Sequence, residues 1–92
     1  MQDHFSDHDY RADVAQHLLE IARRRNYIDR IRHEKPSFDY LEHQKDILRE
    51  ARLFRLRYAC NKAVLYGQMT EEEKEEIIKK DMEAQKTWKS QK

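Results

Sequence analysis

Glycine and proline each occur only once in this sequence of 92 residues. These two residues are the strongest interrupters of helices, and here Pro36 and Gly67 divide the chain into three stretches. None of the stretches shows the alternation with period two that is typical of a half-buried strand. The sequence therefore predicts an all-α fold in a single domain over residues 1–92, with an antiparallel hairpin of two long helices and a shorter C-terminal helix.

The first helix is predicted over residues 7–34. Ser6 followed by Asp9 resembles a capping box at its start, and Pro36 disfavours helical backbone at Lys35. Five apolar residues then recur at helical spacing and form one stripe, namely Tyr10, Val14, Leu18, Ile21 and Ile28.

Two further helices are predicted, over residues 38–66 and 71–88. Ser37 is a favourable N-cap for the second helix, and Gly67 stands where a left-handed residue ends a helix. Thr70 with Glu73 forms a capping box at the start of the third helix. Residues 1–5 and 89–92 are expected to fray.

The second helix has two apolar faces when residues are placed at 100° intervals. One seam consists of Tyr40, Ile47, Ala51, Phe54, Tyr58 and Leu65. A second face consists of Leu53, Leu56, Cys60, Ala63 and Val64. The first helix is expected to cover the seam, whereas the third helix or a second subunit must cover the other face. The sequence predicts partner binding through Leu53, Leu56, Cys60, Val64, Tyr66 and Trp88.

Arginine is concentrated in the middle of the chain, although the net charge is only +1. Residues 21–35 carry six basic side chains against two acidic ones. Clustered guanidinium groups bind phosphates and carboxylates, so contact with nucleic acid or an acidic partner is predicted for Arg23, Arg24, Arg25, Arg30, Arg32, Arg49 and Arg52. Acidic residues within the same helices weaken this field, and the interpretation given more weight is that these arginines solvate long helices and pair with acidic neighbours.

Arg25 and Arg32 project onto the apolar stripe of the first helix. Either their stems lie along apolar surface while the charged heads reach water, or they face a carboxylate on the second helix or on a partner. The first interpretation is favoured.

Catalysis has little support in the sequence, and neither an enzyme nor a metal or cofactor site is expected. Glycine-rich phosphate loops, GxSxG and HExxH are all absent. The single cysteine, Cys60, forms no internal disulfide, which favours a reducing, cytoplasmic location. No apolar run of about 18 residues exists, so no membrane span is expected, and the first residues do not resemble a secretory signal.

The leading hypothesis is a non-enzymatic protein–protein interaction module: a small helical adaptor, inhibitor or assembly subunit. It would bind a protein partner or a second copy of itself, with a homo-oligomer expected, through an apolar and aromatic helix face flanked by arginines. The alternative is an RNA- or DNA-binding module that uses the arginine cluster of the first two helices.

Overall fold

The computed structural model describes residues 7–90. Its elements are α1 (Tyr10–Ile31), a 3-10 turn (Arg32–Glu34), α2 (Phe38–Glu50), a π-turn (Ala51–Arg55), α3 (Leu56–Leu65) and α4 (Glu71–Ser90). We call residues 38–65 the central helix, because α2, the π-turn and α3 follow one another without a break. The described residues contain no strand, so the all-α class is confirmed. Two long helices, α1 and the central helix, pack together.

The start of α1 differs from the prediction. Asp9 is the N-cap, and its side chain accepts a hydrogen bond from the backbone N–H of Ala12 at 3.1 Å. The predicted cap, Ser6, lies outside the described residues. An aspartate is as good an N-cap as a serine. The Ser6–Asp9 pattern therefore placed the helix start in the correct part of the chain, but the capping residue is Asp9.

The boundaries of the other helices follow their local signals. The Ser37 hydroxyl accepts a hydrogen bond from the backbone N–H of Tyr40 at 3.2 Å. Gly67 has φ of +72°, the left-handed conformation that terminates the central helix. Thr70 and Glu73 form both bonds of the capping box, at 3.0 and 2.9 Å, and α4 then continues to Ser90. With 20 residues, α4 is only two residues shorter than α1.

The π-turn decides which side chains of the central helix reach the core. The backbone N–H of Leu56 bonds to the carbonyl of Ala51, five residues earlier. The two buried positions on either side of this turn, Ala51 and Leu56, are therefore five residues apart. The buried residues of the central helix are Gln44, Leu48, Ala51, Leu56, Ala59, Cys60 and Ala63.

The predicted seam is wrong beyond Ala51, and before that residue its first member, Tyr40, is also exposed, at 42%. Phe54, Tyr58 and Leu65 are 66%, 61% and 64% exposed. The prediction assumed a regular α-helix, whereas a π-turn holds one residue more than an α-turn. The extra residue rotates the following segment by roughly 100° relative to a regular helix. Leu56, Cys60 and Ala63 of the predicted second face are therefore the buried residues.

The core lies between α1, the central helix and α4. The predicted stripe of α1 is confirmed: Val14, Ile21 and Ile28 are buried, and Tyr10 and Leu18 pack against the core. From α4 and the loop before it, Ile77, Trp88 and Met69 close the core. The molecule is elongated, 55 × 22 × 15 Å, so much of each helix faces water. No helix within residues 7–90 is long and apolar enough to cross a membrane.

Candidate functional site

A buried charge cluster joins three helical elements. The carboxylate of Asp81, on α4, accepts a bond from Arg25 Nη2 at 3.1 Å and one from Arg52 Nε at 3.0 Å. Arg25 Nε also donates to Gln85 Oε1 at 3.0 Å. The side chains of Asp81, Arg25 and Arg52 are only 4%, 13% and 12% exposed. Burial lowers the pKa of the Arg25 guanidinium, and the facing Asp81 carboxylate partly offsets this effect.

This cluster removes two arginines from the predicted binding set. Arg25 and Arg52 are held by Asp81 and are largely buried, so they add little to a surface for a protein or nucleic-acid partner. The favoured interpretation of Arg25, a stem along apolar surface with its head in water, is also wrong. Its carboxylate comes from α4, a source the sequence had not suggested.

The other arginines of the predicted set have different interaction partners. Arg32 pairs with Asp29 at 3.4 Å, and Arg49 pairs with Asp46 one turn away. Around Tyr27, by contrast, the Arg24 and Arg30 guanidinium carbons lie 5.7 and 5.3 Å from the ring centroid. Arg24 Nη1 also donates to Gln44 Oε1 at 2.5 Å.

The predicted partner-binding residues divide between core and surface. Leu56 and Cys60 are fully enclosed by the chain itself, so their predicted role as a partner surface is wrong. Helices α1 and α4 cover this face, and no second subunit is needed for it. Burial also raises the pKa of the Cys60 thiol, an effect larger than the opposing influence of Lys74 and Arg57.

The other members of that set are partly accessible. Val64 packs half-buried against the core. Tyr66 stacks on Tyr10 with centroids 5.6 Å apart. Trp88 is half-buried, and its indole N–H lies 2.9 Å from both carboxylate oxygens of Asp29. Leu53 is 38% exposed.

An exposed stripe on the central helix is the feature that sequence reasoning missed. Phe54, Tyr58 and Leu65 fall on one side because they are four and seven residues apart, and each is more than half exposed. We call these three residues the apolar stripe. Large side chains that face water together mark an interaction surface more often than isolated ones do.

The stretch of chain that carries the apolar stripe is basic. Residues 51–70 contain four basic side chains and no aspartate or glutamate. Lys62 Nζ lies 5.5 Å from the Tyr58 ring centroid and 5.9 Å from that of Tyr66. Arg52, one of the four, pairs with the buried Asp81. The other three basic side chains of this stretch are Arg55, Arg57 and Lys62.

A cleft of about 430 Å³ lies between α1 and the central helix. Arg23, Arg24 and Arg55 line it together with Tyr27, and Glu20 is its only acidic residue. Within the described chain, neither Arg23 nor Arg55 forms an ion pair. Arg55 belongs to the π-turn next to Phe54, so this basic cleft is adjacent to the apolar stripe along the central helix.

The signal that would have revealed the stripe is a conflict in the apolar pattern. Both candidate faces of residues 51–65 are apolar. If this segment were a regular α-helix, the face with the larger side chains, Phe54, Tyr58 and Leu65, would be expected in the core. Only the five-residue step from Ala51 to Leu56 reverses that choice.

Comparison with protein-family models, with curated proteins and with solved structures finds no match.

Proposed function

We propose that this chain is a non-enzymatic protein–protein interaction module, a small helical adaptor, inhibitor or assembly subunit. The partner that we propose is an amphipathic helix of another protein, apolar on one side and acidic along its edges. Its apolar side chains would cover the apolar stripe, and its carboxylates would meet the basic cleft and Lys62. The supporting observation is the exposed stripe within a stretch of 20 residues that has no acidic side chain.

The magnitudes support a contribution from both parts of this surface. Burying three large apolar side chains yields roughly 1.5–3 kcal/mol each at most. Association costs on the order of 4–15 kcal/mol in lost motion. The apolar stripe alone is thus marginal, and complementary charge at Arg23, Arg55 and Lys62 both accelerates encounter and selects the partner.

A site-specific photo-cross-link tests the proposal. A photoreactive phenylalanine analogue replaces Tyr58 in one version of the protein, and Glu76 on the exposed side of α4 in a matched control version. Both proteins are irradiated in native lysate at low salt. The expected result is a protein captured at position 58 and not at position 76, with the cross-linked peptide rich in apolar and acidic residues.

Charge reversal then distinguishes a specific complex from adhesion. Arg55→Glu should reduce capture at least about tenfold, which corresponds to roughly 1.4 kcal/mol, because the reversal replaces an attraction to the partner's carboxylates with a repulsion. Replacing an acidic residue of the captured peptide by a basic one should restore capture by the Arg55→Glu variant. Capture that is equal at both positions, capture of a second copy of this chain, or capture unaffected by Arg55→Glu would refute an acidic partner helix at this surface.

A second candidate, nucleic-acid binding, has one observation in its favour. Arg24 and Arg30 flank the Tyr27 ring, and Arg23 is unpaired within residues 7–90. Arginines around an aromatic ring suit phosphate contact with base stacking. This candidate predicts RNA or DNA binding at about 50 mM salt that weakens steeply by 200 mM. It is excluded if no complex forms at the lower salt concentration.

We place either function in the cytoplasm, on the ground of the single cysteine without a disulfide partner within the chain.

A further inference from the structure

A second cavity, about 540 Å³ in volume, lies between α2, the π-turn and the end of α4. Its apolar lining consists of Leu41, Leu48, Leu53 and Trp88. Volumes of this size are typical of sites for small organic ligands. The cavity shares no residue with the apolar stripe or the basic cleft.

Basic side chains outnumber acidic ones in the lining of this cavity. Five of its lining residues are lysine or arginine, and Glu42 is the only acidic one. Arg52 is held by Asp81, but Lys45 and Arg49 have only exposed partners one turn away on their own helix. Such exposed pairs contribute about 0–1 kcal/mol, so they exchange their partners readily for an anion.

The apolar and the basic lining residues of the cavity therefore favour different parts of one ligand. The leucines and the Trp88 ring favour an apolar body, because polar groups buried there would lack partners. Arg49 presents a planar fork of donors that matches a phosphate or carboxylate, and Lys45 adds a second charge from the preceding turn. Lys89 approaches from α4, where it forms no ion pair with the described residues.

We propose that this cavity binds an amphipathic organic anion, a molecule with an apolar body and one terminal phosphate or carboxylate. The body lies against Leu53 and Trp88, and the charged end meets Arg49 and Lys45. This site does not depend on the proposed protein partner, because its residues lie elsewhere on the molecule.

Trp88 is the only tryptophan in the chain, so its fluorescence reports on this cavity directly. The probes are octyl phosphate and octanoate, each below its micelle concentration, with octanol and inorganic phosphate as matched fragments. We expect a saturable fluorescence change with at least one of the two anions, and binding at least about tenfold weaker with octanol and with inorganic phosphate. The tighter anion identifies the preferred head group.

Two substitutions localise the binding. Arg49→Glu should weaken the preferred anion at least tenfold, whereas Arg55→Glu, with the same change of charge, should leave its affinity unchanged. Leu53→Ser should weaken octyl phosphate and octanoate while circular dichroism shows an unchanged helix content. A linear, non-saturating response, octanol binding as tightly as the anions, or equal effects of Arg49→Glu and Arg55→Glu would each overturn the proposal.

Discussion

The Asp81 carboxylate accepts a hydrogen bond from Arg52 Nε at 3.0 Å, which ties α4 to the π-turn of the central helix. Arg25 reaches the other oxygen of the same carboxylate from α1. One buried acid therefore serves two buried cations, and the three helical elements meet at a single side chain. Low exposure makes this arrangement sensitive to the loss of its only negative charge.

Replacing Asp81 by asparagine should destabilise the protein by about 3–5 kcal/mol, because two buried guanidinium groups lose their counter-charge. Urea unfolding followed by circular dichroism measures the change. The matched control is Asp46→Asn, which breaks an exposed pair with Arg49 and should cost less than about 1 kcal/mol. Equal losses in the two variants would show that the buried cluster carries no special stability.

Leu56 and Phe54 allow a direct test of which face of the central helix is the core. Leu56→Ala should destabilise the protein by about 2–5 kcal/mol, since it opens a cavity at a buried position. Phe54→Ala removes a larger side chain from an exposed position and should change stability by less than about 0.5 kcal/mol. If Phe54→Ala lost more stability in urea denaturation than Leu56→Ala, Phe54 would lie in the core, as a regular helix predicts, and the register across the π-turn would be wrong.

Local signals made most helix boundaries predictable from the sequence. The Ser37 cap, the left-handed Gly67 and the Thr70–Glu73 capping box each depend on residues within four positions of one another, and the structure confirms all three. The stripe of α1 was predictable for the same reason, because its period lies within one regular helix.

The charged interior and the apolar stripe were not predictable in this way. Arg52 and Arg25 lie 29 and 56 residues from Asp81 in the chain, and no local spacing connects them. The π-turn has no compositional signal of its own, yet it determines the direction of every side chain that follows. Both features depend on tertiary packing, which favours one face of the central helix over the other.

The π-turn leads to a further prediction about chain length. Deleting Arg55, an exposed residue of the turn, shortens the step from Ala51 to Leu56 to four and allows a regular α-helix with the same core. This variant should keep a cooperative thermal transition. Deleting Asn61, an exposed residue of α3, should cost about 3 kcal/mol or more, because it rotates Ala63 out of the core. The thermal melts of the two variants would contradict this register if the Asn61 deletion were the better tolerated.

The capping box at the start of α4 should make stability depend on pH. The hydrogen bond from the Thr70 backbone N–H holds the pKa of Glu73 below its ordinary value of 4.5, with Arg11 adding a smaller effect. The stabilisation is therefore fully present above pH 4.5 and is lost as the pH falls through the lowered folded-state pKa.

Glu73→Gln should accordingly lower the urea midpoint at about pH 7, and the difference from the unchanged protein should shrink at acidic pH. Glu83→Gln, at an exposed position of α4 that forms no ion pair with residues 7–90, is the control and should shift the midpoint little at either pH. A difference for Glu73→Gln that stays constant with pH would argue against the charged cap.

Cys60 should be protected from alkylation in the folded protein. Its side chain is completely buried, and burial also raises the pKa of the thiol, which reduces the reactive thiolate. We expect iodoacetamide to label it at least about 100-fold more slowly in native buffer than in urea, since labelling requires opening of the core. Asn61→Cys in a Cys60→Ala background places a thiol on the exposed side and should react rapidly. Rapid labelling of native Cys60 would instead show that α4 leaves the α3 face open, and the buried charge cluster around Asp81 would then be transient as well.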